Sequence, residues 1–363
     1  MKDTKRGSAF AALLLVAVLL AGCAAEPAVP TVVPTVVPTV VPTAEPTEIP
    51  TQVPTEAPTT PPTEPQPEHF VLTFVGDCTL GYDAFRQRFF PERVGEDYGY
   101  PFRNVISYFE EDDYTLANLE GVLGEKGSPR KKTFVFRGDG AYTQILTGSS
   151  VEGVTLANNH ARDYGDEGYQ ETRRLLEEAG VAYVEDMNSL LVTTDSGLKI
   201  GVYGADSSTK SVDREQILED IRALSQEAEL IICAFHWGTE GRYYQSQTQT
   251  DLAHDAIDAG AHIIWGHHPH VLQPVEEYNG GIIFYSLGNF AFGGNYKPKD
   301  LDTALMQQEV IRDVDGTVTL GELTVVPCSV SSAPGYNNFQ PTPYEPGSRE
   351  YDRVMGKLGL TEE

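Results

Sequence analysis

From residue 69 onward, apolar runs of a few residues alternate with amphipathic stretches, and the strongest runs end in polar clusters. Phe70-Val-Leu-Thr-Phe-Val leads to Gly76-Asp77, Tyr114-Thr-Leu-Ala to Asn118-Leu-Glu120, and Val151-Glu-Gly-Val-Thr-Leu-Ala to Asn158-Asn159-His160. Three later runs behave alike. Leu230-Ile-Ile-Cys-Ala-Phe leads to His236-Trp-Gly-Thr-Glu240, Ala261-His-Ile-Ile-Trp-Gly to His267-His268-Pro-His270, and Gly281-Ile-Ile-Phe-Tyr-Ser-Leu-Gly to Asn289. Runs of this length bounded by Gly and Pro read as buried strands, and the residues just past their carboxyl ends gather at one sheet edge. Further strands are expected over 181–184 and 199–205, the second after a hairpin at Asp195-Ser-Gly. Helices are expected over 213–226 and 248–259, around 102–111, and from the Asp163–Gly168 region to Gly180, with Asp166 as cap and Gly180 as stop. Strand and helix thus alternate, which predicts a largely parallel sheet with helices outside it. Residues 303–326 carry two alternating strands around Asp313-Val-Asp-Gly316, an antiparallel edge, and a short helix is expected near 349–358.

The first seventy residues have another pattern. Lys2, Lys5 and Arg6 precede an apolar run over 9–21, and Leu20-Ala21-Gly22-Cys23 comes next. A basic start, a short apolar stretch and small residues before a cut make a secretory signal, too short for a comfortable membrane span. The Cys at the cut resembles a bacterial lipoprotein signal over residues 1–23, with Cys23 as the lipidated N-terminus; the alternative is an ordinary signal peptide with an incidental Cys. The mature chain is therefore expected at the cell membrane, lipid-anchored on the extracytoplasmic face. Residues 24–68 are rich in Pro, Thr, Val and Glu, with Pro at every fourth position from Pro30 to Pro62. Proline removes backbone donors and fixes φ, so this is a semi-rigid tether. At about 3.1 Å per residue it reaches on the order of 100 Å.

Charge narrows the partners. The formal net charge of −27, from 53 acidic and 26 basic residues, argues against nucleic acid or an anionic surface as a direct partner. An anionic substrate would need bound cations to offset the repulsion. Of eight histidines, four lie between His236 and His270. Any one of them alone reads as a packing or capping residue, but clustered imidazoles with carboxylates are the pattern of a metal site. Asp77, a strand-end carboxylate flanked by glycines, suits a ligand or a turn cap. Asn118 and Glu120 share one strand face and can address one cation. Asn158 and Asn159 offer amide oxygens, and His160 beside them could transfer protons. The basic segment 126–137, with Arg130, Lys131, Lys132 and Arg137, is either a solvated loop or a surface that meets an anion. Cys78 and Cys233, on or beside apolar runs, read as small buried core thiols; the alternative is a disulfide, should two strand ends near one site bring them together.

The ordered set Gly76-Asp77, Asn118-Leu-Glu120, Asn158-Asn159-His160, His236-Trp-Gly-Thr-Glu240, Gly266-His267-His268-Pro-His270 and Ser286-Leu-Gly-Asn289-Phe resembles the bacterial CapA family of poly-γ-glutamate capsule biosynthesis proteins, over residues 69–330, with 331–363 as a C-terminal extension. That family looks like a branch of the calcineurin-like metallophosphoesterases. The resemblance implies an α/β fold: a two-sheet α/β/β/α sandwich with mostly parallel strands, an antiparallel edge and a metal site at the strand ends. It implies Asp77, Glu120, Asn159, His236, His268 and His270 as metal ligands and His160 as the proton-transferring catalytic residue. Asn118, Asn158, Glu240, His267 and Asn289 remain as substrate contacts. Two departures stand out: Asp77-Cys78-Thr79 where phosphoesterases carry Asp-x-His, and Glu120 in place of the second-strand Asp. Mixed nitrogen and oxygen ligands favour Mn, Zn or Fe over Mg, one or two ions. The expected function is capsule or exopolymer synthesis by a metal-dependent hydrolase or transferase acting on an anionic polymer or phosphoester. The alternative is a non-catalytic accessory of a capsule synthase or export complex.

Overall fold

The computed structural model describes residues 65–86 and 88–361. The signal sequence, Cys23 and nearly all of the proline-rich tether lie outside the described residues. In chain order the strands are β1 (Glu68–Thr79), β2 (Tyr82–Asp83), β3 (Tyr114–Leu119), β4 (Val122–Leu123), β5 (Phe136–Gly138), β6 (Gly153–Thr155), β7 (Ala182–Val184), β8 (Asn188–Thr193), β9 (Lys199–Asp206), β10 (Leu230–His236), β11 (Ile263–His267), β12 (Leu272–Tyr278), β13 (Gly281–Leu287), β14 (Asn289–Phe292), β15 (Asp302–Arg312), β16 (Val318–Ser329) and β17 (Thr342–Pro343). The helices are α1 (Phe89–Val94), α2 (Ile106–Glu110), α3 (Thr143–Thr147), α4 (Gly165–Ala179), α5 (Arg214–Leu224), α6 (Gln247–Asp258) and α7 (Arg349–Leu358).

Two sheets make the body. One runs β17-β16-β15-β1-β3-β6-β7, parallel from β1 to β7 and antiparallel through β15 and β16, with β14 alongside the end of β1. The other runs β12-β13-β11-β10-β9-β8, parallel in its middle and antiparallel at both edges. Period-two alternation sorts the side chains into layers. Phe70, Leu72 and Phe74 of β1 meet Leu230, Ile232 and Ala234 of β10 in the core between the sheets. The alternate residues Ile231, Cys233 and Phe235 face Ile217 and Ile221 of α5 and Leu252 and Ala253 of α6. The outer face of the first sheet, through Val75, Ala117 and Val154, packs on Ile145 of α3 and on Tyr169 and Leu176 of α4. The architecture is therefore the expected α/β/β/α sandwich with an antiparallel edge. Trp265 ties the sheets together by donating from Nε1 to the carbonyl of Val75 at 2.9 Å.

Local details differ from expectation in two places. The helix expected around 102–111 is confined to Ile106–Glu110 and preceded by turns. There Phe102 packs on Phe109 and Phe290 instead of extending a helical face. Asp166 does not cap α4: the N-cap residue is Tyr164, with no side-chain cap bond, and Asp166 lies in the first turn, paired with Arg162. Asp163, nearer the helix start, is taken up elsewhere. Gly180 closes the helix in the left-handed conformation at φ 75°, as its sequence position predicts. Residues 331–361 pack as part of the same unit, for β17 pairs with β16 and α7 buries Val354 and Leu358 completely. Cys78, Cys233 and Cys328 are buried free thiols. Among the described residues no helix is long and apolar enough to cross a membrane.

Candidate metal centre

The site forms where strand ends of the two sheets converge. This requires close approach of backbones at Gly76, where a Cβ would lie 2.1 Å from the Gly288 carbonyl oxygen. The absence of a side chain there lets Asp77 N–H donate to Gly288 O at 2.8 Å and sets Asp77 beside Asn289 in register. From the first sheet come Asp77, Glu120, Asn159 and His160; from the second come His236, His267, His268 and His270.

Asp77 and Glu120 are both fully buried, yet their surroundings are opposite. Asp77 Oδ1 accepts from Asn118 Nδ2 at 2.8 Å, and its carboxylate lies 3.2 Å from His267 Nδ1 and 3.0 Å from His270 Nδ1. Burial pushes its pKa up, but the two imidazoles outweigh burial and hold it well below the usual carboxylate range. Among the described residues neither oxygen of Glu120 has a hydrogen-bond partner. Its Oε1 faces three imidazole nitrogens at longer range: His270 Nε2 at 3.7 Å, His160 Nε2 at 3.9 Å and His236 Nε2 at 3.9 Å. Burial pushes its carboxyl well above the usual range, only partly countered by His270.

The imidazoles carry the same signature of missing positive charge. His236 Nδ1 and His268 Nδ1 are buried without partners, and neither nitrogen of His267 is aligned for a hydrogen bond despite its approach to Asp77. His236 Nε2 meets Asn159 Oδ1 at 3.0 Å. Burial depresses His236 strongly and takes His268 down to about 4. His270 is lowered by burial but raised more by Glu120 and Asp77, to about 10. A proton on His270 thus does in part what a cation would do. His268 and His270 hold positive φ of 93° and 56° around Pro269, a conformation uncommon for side-chain-bearing residues that presents both rings from one tight turn.

Two groups have ligand atoms all within 4.8 Å of one another: Asp77, Glu120 and His270, and Glu240, His268 and His270. A buried carboxylate with no aligned donor, faced by imidazole nitrogens only at 3.7–3.9 Å and close to the unpartnered His236 Nδ1 and His268 Nδ1, is costly unless a cation satisfies it. The two groups Asp77, Glu120 and His270, and Glu240, His268 and His270, therefore have the donor chemistry that suits a divalent cation.

His160 is oriented for a different task. Its Nδ1 lies 2.6 Å from Asp163 Oδ2, which makes Nδ1–H the donor and turns Nε2 toward Glu120 and the cavity. Asp163 is completely buried and also accepts from Phe136 N and Lys132 Nζ, each at 2.7 Å. Burial lowers the pKa of His160, and Asp163 restores part of the loss. A cavity of about 730 Å³ opens beside these residues, lined among others by His160, Glu240, His270, Asn289, Phe136 and Lys299.

Several expected substrate contacts sit elsewhere. Asn118 and Asn158 do not line the cavity; they form a buried relay in which Asn158 Nδ2 donates to Asn118 Oδ1 at 3.0 Å and to Leu119 O at 2.9 Å. The relay ends at His160 N, which donates to Asn158 Oδ1 at 3.1 Å, so it links Asp77 to the His160 turn. Their amides are spent on one another and on backbone, which leaves them as positioning residues. His267, only 1% exposed, stands behind Asp77 rather than facing the cavity. Glu240 and Asn289 do line it. Thr79, at the place of the absent His, donates its hydroxyl to Glu120 O at 2.8 Å. Cys78 Sγ lies 3.6 Å from Gly76 O and also meets the Ala291 backbone, and burial pushes its thiol up to about 12. In the basic segment, Lys132 is committed to Asp163, and Arg137 stacks on Tyr164, while Arg130 and Lys131 are exposed. Asp163 is the residue that sequence reasoning left out of the site. The His160-x-x-Asp163 spacing was the available signal, hidden because Asp163 also looks like a helix opener.

Known proteins resemble this chain along the same lines. The family model described as "Bacterial capsule synthesis protein PGA_cap" matches residues 71–294. The chain is 32% identical to "Capsule biosynthesis protein CapA" of Bacillus anthracis over 290 residues, 72% of this chain and 68% of the relative. It is 29% identical to "PGA biosynthesis protein CapA" of Bacillus subtilis over 310 residues, 79% of this chain and 77% of that one. Among solved structures it is similar to Haemophilus influenzae NAD nucleotidase, with a TM-score of 0.41 and 12% identity over 82% of this chain and 63% of that one.

Proposed function

The chain belongs to the bacterial capsule synthesis protein family PGA_cap, and from that premise we propose that it is a metal-dependent hydrolase or transferase of poly-γ-glutamate capsule synthesis. It acts on an anionic polymer or phosphoester at the extracytoplasmic face of the cell membrane, anchored through lipidated Cys23 and held off the surface by the proline-rich tether. Capsule synthase or export subunits are its expected partners. The observation that carries the catalytic reading is Glu120: a fully buried carboxylate with both oxygens unpartnered, facing three imidazoles.

Divalent cations held by Asp77, Glu120, Asn159, His236, His268 and His270 would supply Lewis-acid chemistry toward an anionic ester or acyl group. The chain's own residues supply the rest. Asp163 fixes the tautomer of His160, so that Nε2 is the atom that takes or delivers a proton at the reacting group. The amide relay through Asn118 and Asn158 keeps Asp77 and the His160 turn in register. The purified protein is expected to contain divalent metal and to turn over a generic phosphodiester or shorten poly-γ-glutamate. His160→Ala should keep the metal and lose turnover by roughly 10²–10⁴-fold. A metal-free, inert wild type overturns the proposal. For the anchor, Cys23→Ser should move the protein from the membrane fraction to the soluble one.

One observation favours the accessory reading: Thr79 stands where phosphoesterases carry an additional imidazole, and its hydroxyl is committed to the Glu120 backbone. If the metal serves only to hold the fold or the polymer, His236→Ala lowers stability or polymer binding with no turnover to lose. Robust turnover by the wild type decides against it.

A further inference from the structure

We propose that the cavity beside the metal centre is a groove for a carboxylate-bearing chain, with Lys297 and Lys299 receiving carboxylates and Phe89, Phe134, Phe136 and Tyr296 packing the methylene segments between them. This deepens, and rests on, the reading of the site as one that acts on an anionic polymer.

The first support is charge. In a chain of net charge −27, cations near this region are largely committed to acids of the protein itself: Lys132 to Asp163, Arg86 to Asp83, Arg353 to Asp302, and Lys357 to Asp300 and Asp302. Lys297 and Lys299 differ. Both are exposed, both line the cavity, and among the described residues neither forms an ion pair with a side chain of the protein. The acid closest to them in sequence, Asp300, is neutralised by Lys357 Nζ at 2.6 Å, so the loop between β14 and β15 presents positive charge to the cavity.

The second support is the wall material. Phe89 stacks on Tyr296 with ring centroids 4.1 Å apart at one side, and Phe134 lies 6.4 Å from Phe136 at the other. Phe136 continues inward to the His160 ring at 4.2 Å. An apolar track therefore leads from the rim to the proton-transferring imidazole. Gly294 lets the lysine loop lie against that track, since a Cβ there would come within 2.7 Å of the Phe136 ring.

Cations spaced along an aromatic wall match a polymer in which carboxylates alternate with short methylene segments. A polyphosphate carries its charges without methylene segments and has nothing to set against the aromatic wall. The lining's arginine, Arg86, is held by Asp83 at 3.0 Å and lies over the Phe134 ring. At about 730 Å³ the groove takes a few units of a chain, within the roughly 300–1,000 Å³ typical of ligand pockets.

The test is binding of a fluorescently labelled γ-linked glutamate oligomer to the purified full chain, monitored by anisotropy, with inorganic polyphosphate of matched charge as comparator. The double variant Lys297→Glu/Lys299→Glu should weaken the glutamate oligomer at least about tenfold, with a shallower salt dependence, and retain the wild-type metal content. Phe134→Ala should weaken the glutamate oligomer several-fold and leave polyphosphate binding unchanged. Wild-type affinity in the lysine variant, or polyphosphate bound as tightly as the glutamate oligomer by the wild type, overturns the proposal. The two readings fail separately. A wild type without metal or turnover that still loses the oligomer in the lysine variant keeps the groove and discards the catalysis; one with metal and turnover but no oligomer binding does the reverse.

Discussion

Two buried carboxylates in this molecule solve one electrostatic problem in opposite ways. Asp302, 3% exposed, accepts from Arg353 Nε and Nη2 at 2.7 Å each, from Lys357 Nζ at 2.7 Å and from the Tyr344 hydroxyl at 3.0 Å. Burial pushes its pKa up, and these donors more than reverse the push. Glu120, equally buried, has no donor, and its pKa stays raised. Removing a carboxylate from water costs several kcal/mol unless a partner restores the lost solvation. At Asp302 the chain provides the partner, and α7 is clasped to the start of β15. At Glu120 it provides only more ligands. Asp302 is fully satisfied by the protein's own donors, whereas Glu120 is left with imidazoles at 3.7–3.9 Å and no aligned donor, which is where a cation from outside would be stabilised.

The largest expected effect breaks the comparison at Glu120. Glu120→Gln should reduce metal affinity and turnover by at least about a hundredfold, measured by metal content and phosphodiester hydrolysis. The same variant, stripped of metal, should be as stable as the stripped wild type or more so, because a neutral amide is cheaper to bury than an unpaired carboxylate. Chelation should lower the melting temperature of the wild type, and excess metal at 100 times its dissociation constant should add about 2.7 kcal/mol. Equal melting of holo and stripped wild type would show that Glu120 awaits no cation.

The next effect is on turnover alone. The Asp163 carboxylate accepts from His160 Nδ1, Lys132 Nζ and Phe136 N, and of these His160 faces the candidate metal centre. Asp163→Asn should keep the metal and slow turnover by roughly 10–100-fold. Loss of metal in this variant would mean that Asp163 supports the ligands rather than the proton carrier.

Arg353→Ala tests the self-sufficient end of the comparison. The guanidinium is 43% exposed, so the expected cost is modest, about 1–2 kcal/mol in denaturant unfolding, and it should be the same with and without chelator. The pH dependence has a definite sign. Asp302 titrates below its ordinary 3.8 in the folded state, so its contribution is present above that value and lost as pH falls through the depressed pKa. The difference between wild type and variant should therefore shrink only in strong acid.

The contrast also explains what could be read from the sequence. The six strand-end clusters were legible because a buried strand leaves a continuous apolar run, and Gly or Pro marks where it ends. Helices α5 and α6 were legible for the same reason, with Asp213 and Ser246 capping them through their side chains. The direction of individual side chains was not. Asn118 and Glu120 share a strand face in a simple alternation, yet Asn118 turns to Asp77 while Glu120, just past the strand, faces the imidazoles. The Asp302 clasp was invisible, because Arg353 and Lys357 meet Asp302 only after α7 packs back across the inter-sheet core. The lysine loop was invisible too, since nothing local tells that Lys297 and Lys299 border the same cavity as His160.

A third acid sharpens the comparison with the smallest effect. Among the described residues, Asp112, at the turn before β3, has neither a cationic partner nor a ring of ligands shaped for one. Burial raises its carboxyl to about 7, although Thr73 and Thr115 hydrogen-bond to it, and Glu152 and Asp113 add to the rise. This residue answers the same problem with a proton. The folded state favours the protonated form, so the stability it contributes is full below the ordinary value of 3.8 and is lost as pH rises through about 7. Asp112→Asn keeps an acceptor for the Thr115 hydroxyl and cannot ionise. The variant should match the wild type near pH 4 and melt higher by about 1–3 °C at pH 8 in scanning calorimetry. A difference independent of pH would mean that Asp112 stays ionised in the fold, and that an unrecognised donor places it with Asp302.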